Sequence, residues 1–275
     1  MNVKTYKECK EQGIVPDILF WVGCAGSYDD RAKKITKSLI NLFNKAGISY
    51  AVLGTEESCS GDPAKRAGNE FLFQMQALSN IEVLNSYSIK KIVTACPHCF
   101  NTIKNEYPDL GGTYDVIHHS QLIDQLINDG KLKVKNDQFN GKKITFHDPC
   151  YLGRANGEYL APRKVIRSLK AELKEMKSCK EKAMCCGAGG AQMFKDSEKG
   201  DKEINIKRTE EALETDSKII AAACPFCNTM LTDGIKSHEN ENDIEIKDIS
   251  ELVLSLIHIS EPTRPERIAY AVFGL

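Results

Sequence analysis

Nine of the eleven cysteines in this chain fall into two copies of one pattern. The first copy is Cys24, then Cys59-Ser60-Gly61, then Cys96-Pro97-His98-Cys99. The second is Cys150, then Cys185-Cys186-Gly187, then Cys224-Pro225-Phe226-Cys227. Cys24 and Cys59 recur at an offset of 126, Cys96 and Cys99 at an offset of 128. Cysteines scattered through a core do not keep step in this way. The pattern requires a duplicated module with a thiolate-rich site in each copy.

Periodicity predicts strands alternating with helices. Apolar strands are expected at 18–23, 48–53, 91–95, 143–147 and 219–223. Helices are expected through Ile35, Leu39, Leu42 and Phe43, from Asp62 through Phe71, Phe73, Met75 and Leu78, over 162–173 and over 204–213. The stretches 115–122 and 245–252 resemble one another at the ends of the two halves. The expected fold class is α/β, with two pseudo-repeated halves. Each half is a mostly parallel sheet flanked by helices, with the cysteine loops at the strand C-terminal ends. The first half is expected over 17–130 and the second over 142–253, joined by a polar linker near 129–141.

The charge balance, 37 basic against 38 acidic residues, gives no electrostatic case for nucleic acid. The opening MNVKTYKECKEQG carries no apolar signal, and no apolar run is long enough to span a bilayer. These features lead to the expectation of a cytoplasmic protein, where eleven cysteines favour metal or redox chemistry over disulfides.

A Cys-x-x-Cys turn presents two sulfurs to one metal site, and soft thiolates suit iron with sulfide. The remaining cysteines complete the shell from other loops. Gly187, Gly189 and Gly190 let the backbone approach a bulky inorganic core. The residues alone leave two other readings open. One is a zinc-stabilised binding module without redox activity; it suits the four cysteines of the first copy better than the five of the second. The other is a metal-free dithiol at Cys96-Pro97-His98-Cys99, which leaves Cys24 and Cys59 unexplained.

These motifs resemble the CCG-domain family, which includes the B and D subunits of heterodisulfide reductases and iron–sulfur subunits of lactate, glycolate and glycerol-3-phosphate oxidising systems. The resemblance covers about residues 17–253. It is carried by Asp148-Pro149-Cys150-Tyr151-Leu152-Gly153-Arg154, Cys185-Cys186-Gly187-Ala188-Gly189-Gly190 and Cys224-Pro225-Phe226-Cys227, which look most like the D type. It implies a noncubane [4Fe-4S] cluster held by Cys150, Cys185, Cys186, Cys224 and Cys227. In the first half Ser60 replaces the second cysteine of the pair, leaving Cys24, Cys59, Cys96 and Cys99 for a cluster of altered type. The ferredoxin motif of longer relatives is missing. The resemblance therefore implies an oxidoreductase subunit that exchanges electrons with a ferredoxin-type iron–sulfur or flavoprotein subunit. It either acts on a disulfide or relays electrons toward a quinone-linked, membrane-bound partner.

Cys9 and Cys179, outside the repeat, read as incidental thiols. His98 and His147 lie beside presumed ligands, and His118-His119 reads as surface or strand-end packing. The charges of 62–70 and the run Glu210, Glu211, Glu214, Asp216 read as solvated faces. Lys65, Arg66, Arg154, Arg163 and Arg208 are candidates to offset cluster charge. From Leu256-Ile257-His258-Ile259-Ser260-Glu261-Pro262 onward the chain reads as translated sequencing adapter, so 255–275 is expected to be a non-native tail.

Overall fold

The computed structural model describes residues 3–134, 137–196, 199–238 and 243–257. A short helix α1 (Tyr6–Glu11) precedes the first half. That half runs β1 (Ile18–Trp21), α2 (Gly23–Tyr28), α3 (Asp30–Lys45), β2 (Tyr50–Ala51), α4 (Asp62–Arg66), α5 (Glu70–Ser86), β3 (Lys91–Thr94), α6 (Pro97–Asn101), β4 (Asp115–His118) and α7 (His119–Asn128). The second half runs β5 (Lys143–Phe146), α8 (Leu160–Ser168), β6 (Glu172–Lys174), α9 (Ile204–Leu213), β7 (Ile219–Ala222), α10 (Pro225–Ile235), β8 (Glu245–Asp248) and α11 (Ile249–Leu256).

Each half contains one four-stranded, wholly parallel sheet, ordered β2-β1-β3-β4 in the first and β6-β5-β7-β8 in the second. The expected α/β fold of two repeated halves is therefore observed. The repeat extends to strand register: Phe20 faces Val93 as Phe146 faces Ala221, which reproduces the cysteine offsets. β1 and β7 are buried at all four positions, because helices cover both faces of a parallel sheet. The winding reverses between the two central strands of each sheet. That reversal opens a crevice beyond their carboxyl ends.

Local signals set most helix limits. Asp29 caps α3 by accepting a hydrogen bond from the Ala32 N–H, and Ile35, Leu39, Leu42 and Phe43 turn inward. The helix expected from Asp62 is two pieces, because Gly68 takes a φ of +85° before Asn69 caps α5. The expected 162–173 helix stops at Ser168. Lys170 adopts a φ of +61°, and residues 172–174 pair as an edge strand with β5 instead. The matched ends fold as β4–α7 and β8–α11, and each helix opens with a capping box, His118 with Gln121 and Asp248 with Glu251.

The two halves share one core cluster. α3 packs on α10 and α11, and α7 packs on α8. Arg31 makes a bidentate pair with Glu251 at 2.9 and 2.6 Å. His119 Nε2 lies 3.1 Å from Asp248 Oδ1, with both side chains fully buried. Of the two readings of His118-His119, packing at a strand end is the one observed.

α11 continues to a buried Leu256. The adapter-like stretch from 258 lies outside the described residues. Among the described residues no helix is long and apolar enough to cross a membrane.

Candidate metal centre

In the first half, β1 ends just before α2, whose second residue is Cys24. β3 delivers Cys96 as the N-cap of α6, with Pro97 at the first helical position and Cys99 in the first turn. Cys59 comes from the loop before α4. Gly61 closes that loop at φ +90°, where a Cβ would sit 2.7 Å from a Phe73 ring carbon. Cys24 and Cys59 lie side by side, as do Cys96 and Cys99. The buried Ser60 hydroxyl donates to Cys99 Sγ at 3.5 Å, and the Gly61 N–H donates to Cys59 Sγ at 3.5 Å.

The second half repeats this geometry with one more sulfur. Cys150 adjoins Cys185, Cys185 adjoins Cys186, and Cys224 adjoins Cys227, all as free thiols. The Cys227 and Cys186 sulfurs are 3.3 Å apart, and the Gly187 N–H donates to Cys185 Sγ at 3.3 Å. Cys224 also neighbours Cys96 of the first half, so the two thiol sets adjoin. Among the described residues, all nine repeat cysteines thus gather at the rim formed by the strand carboxyl ends.

In each half the first thiol of the loop that ends in the glycine turn is held below the ordinary thiol value. Cys24 donates to Cys59 and is the main influence bringing it down to about 7. Cys150 and Cys186 donate to Cys185 and hold it far below the ordinary thiol value. Their own hydrogen bonds to these acceptors, together with burial, push Cys24 and Cys150 up, and Cys186 up to about 12. Burial acts to raise Cys224, but donors on Cys227 and Cys96 bring it down to about 6. Metal binding draws on deprotonated sulfur, and each set contains a thiol already poised to release its proton.

The donor set fits a thiolate-held iron–sulfur cluster. The second set offers five thiols, more than the four ligands that zinc prefers. Backbone N–H groups point at sulfur in both halves, and at Gly23, φ +75°, a Cβ would stand 3.5 Å from Cys99 Sγ.

Surrounding residues position these loops, and several differ from expectation. Glu57 accepts the Val22 and Gly23 N–H groups and so fixes the turn that delivers Cys24. Burial pushes Glu57 up to about 7 against those two donors. Nothing in the sequence singles it out. His147, fully buried, is pushed down to about 3 by burial and the adjacent Arg208. A ring nitrogen of His147 lies within 4.8 Å of the ligand atoms of Cys186 and Cys227. Arg208 is also fully buried and is held by Glu211 at 2.6 Å, so Glu211 is no solvated charge. Arg163 binds Asp148 and Glu175, Arg154 donates to the Ala183 carbonyl, and Lys65 and Arg66 pair with Glu106. Each of these cations thus has a carboxylate or backbone partner. Asp62, expected on a solvated face, is buried 2.9 Å from His98 Nδ1. Burial acts to raise the Asp62 carboxyl, but His98 and Arg66 hold it below its usual value. The His98 ring rests 4.3 Å from that of Tyr151. Cys9 is a core residue of α1, while Cys179 is half-buried apart from the two sets.

Fold and site together define a duplicated α/β protein with paired thiolate-rich centres. The chain belongs to the CCG family, described as a cysteine-rich domain, which it matches twice, at residues 18–104 and 144–232. It is 45% identical over 253 residues to a probable iron-sulfur-binding oxidoreductase, FadF, of Bacillus subtilis, covering 92% of this chain and 36% of that one. It is 42% identical over 249 residues to an EtfAB:quinone oxidoreductase of Syntrophomonas wolfei, covering 88% and 35%. It is 35% identical over 255 residues to the D subunit of the dihydromethanophenazine:CoB–CoM heterodisulfide reductase of Methanosarcina barkeri, covering 89% and 60%. The chain thus spans about a third of the length of the first two relatives. Likeness to iron–sulfur proteins supports iron–sulfur clusters as the cofactor class.

Proposed function

We propose that this chain is an electron-transferring iron–sulfur oxidoreductase module of the heterodisulfide reductase type, with a cluster in each half. The observation that carries the reading is the convergence of nine cysteines into two adjoining, pseudo-equivalent sets. Cys150, Cys185, Cys186, Cys224 and Cys227 would hold a noncubane [4Fe-4S] cluster. Cys24, Cys59, Cys96 and Cys99, with Ser60 beside them, would hold one of altered structure. Such clusters, when bound, supply one-electron redox chemistry.

The protein's own part is to supply thiolates, exclude water and set the spacing. Cys96, Cys99, Cys186, Cys224 and Cys227 are buried, which shields the sulfurs from solvent. Cys96 and Cys224 place the two sets side by side. Cleavage of a disulfide between matched sites calls for two equal sites, and Ser60 makes them unequal. Relay is therefore the better supported role. The name of one relative, an EtfAB:quinone oxidoreductase, supports exchange with a flavoprotein or ferredoxin-type module on one side and a quinone-linked, membrane-bound partner on the other. These modules lie either elsewhere on a longer chain or on separate subunits.

The test is a reductive titration of anaerobically prepared protein followed by electron paramagnetic resonance. The reading expects two distinct one-electron signals. A protein that takes up reductant only at a dithiol, or shows no paramagnetic signal while holding zinc, excludes it.

A further inference from the structure

Trp21 and His147 occupy the same position in the two halves, at the β1 end and one residue past the β5 end, each three residues before the first cysteine of its set. The His147 N–H bonds the Ala221 carbonyl at 2.9 Å, continuing the β5 ladder just as Trp21 closes that of β1. Both side chains are fully buried. Each also leaves one ring nitrogen without a hydrogen-bond partner, Nε1 of Trp21 and Nε2 of His147. A buried polar group without a partner is costly, and two at the same place in a duplicated fold call for a common cause.

The chemistry of the two nitrogens supplies that cause. An indole nitrogen can only donate. An imidazole nitrogen can donate or accept, but here the choice is made by Arg208. Its Nε–H points at His147 Nδ1 at 2.9 Å, and a guanidinium only donates, so Nδ1 must accept. The neutral ring then carries its proton on Nε2. Arg208 is held in turn by the Ser178 carbonyl at 2.9 Å and by Glu211 at 2.6 Å. In one half sequence makes the nitrogen a donor, and in the other a buried arginine does.

Both side chains lie near cysteine sulfur. A ring nitrogen of His147 lies within 4.8 Å of the ligand atoms of Cys186 and Cys227. Beside Trp21, an ideal Cβ on Gly23 would meet Cys99 Sγ at 3.5 Å and Trp21 Nε1 at 4.0 Å, so the indole and the sulfur face the same small space. We propose that Trp21 and His147 are paired positioning residues whose N–H groups donate to the sulfurs of the first and second clusters, and that His147 is therefore not a metal ligand. The inference rests on the iron–sulfur reading above. Donors to cluster sulfur stabilise the reduced form, so each should raise the potential of its own centre.

The experiment uses anaerobically prepared protein carrying Trp21→Phe or His147→Phe, each compared with wild type for iron per chain and for the midpoint potential of each signal. The expected result is unchanged iron. The first centre should fall in Trp21→Phe and the second in His147→Phe, each by about a tenfold change in the reduced-to-oxidised ratio, or about 59 mV for one electron. His147→Gln, which keeps an N–H, should recover part of the shift. In ¹⁵N-histidine-labelled protein, the His147 nitrogens should show only weak hyperfine coupling. Strong nitrogen coupling with iron loss in His147→Phe would make His147 a ligand and overturn the proposal. Unmoved potentials with iron retained would overturn it alone, whereas wild-type protein without iron would overturn the parent reading as well.

Discussion

The Ser60 hydroxyl lies 3.5 Å from the Cys99 sulfur, at the place where Cys186 lies 3.3 Å from Cys227 in the other half. Serine thus keeps the position and the contact of the missing cysteine while withholding its sulfur. Ser60→Cys should complete a five-thiol set in the first half. The expected outcome is a first-centre spectrum that moves toward the second, read by electron paramagnetic resonance. An unchanged spectrum would mean that Ser60 does not face the cluster.

Gly61 shows why these loops are glycine-rich. Its φ is +90°, and a Cβ would come within 2.7 Å of the Phe73 ring and 3.3 Å of the Phe73 carbonyl. Gly61→Ala should therefore cost about 1–3 kcal/mol through overpacking and strain. Iron should be lost from the first centre before the second, as followed by thermal unfolding and iron per chain.

Glu57 fixes the turn before Cys24 through the Val22 and Gly23 N–H groups. Glu57→Ala leaves those two backbone donors without their acceptor, a loss of about 1–3 kcal/mol for each donor that stays buried. The centre built on Cys24 should bleach faster under a chelator than in wild type, with the second centre unaffected.

Most of the architecture is legible in the residues themselves. The cysteine offsets announce the duplication, and strand–helix alternation announces parallel sheets. What stays hidden is tertiary. The segment after Ser168 is helix-like in sequence, yet residues 172–174 are drawn into an edge strand by pairing with β5. Asp62 and Glu211 read as solvent charges because single residues do not reveal partners 36 positions away, as His98 is, or buried like Arg208. The burial of Cys9, an incidental thiol apart from both sets, is hidden because α1 is short and polar in sequence, although its inner side reaches the core. The pairing of Trp21 with His147 can be aligned in sequence. Only burial and the Arg208 bond give it meaning.

Asp248 joins the halves by capping α11 and meeting His119. Burial acts to raise its carboxyl, but His119 and Ser250 hold it below the usual value. A carboxyl lowered in the folded state adds stability that is complete above its unfolded value, about 3.9, and fades as pH falls through the folded one. Urea midpoints should therefore drop more steeply below about pH 4 in wild type than in Asp248→Asn. Asp248→Ala, which leaves the buried His119 Nε2 without its partner, should cost about 1–3 kcal/mol near neutral pH. Equal acid sensitivity in wild type and Asp248→Asn would deny the pair that role.

Metal content of anaerobically purified protein bears most directly on the whole account. Iron, acid-labile sulfide and zinc should be counted per chain on one sample. Two four-iron centres predict brown protein with about eight irons and eight sulfides and no stoichiometric zinc. Colourless protein with zinc in proportion to chain would contradict the assignment of these nine cysteines to electron transfer.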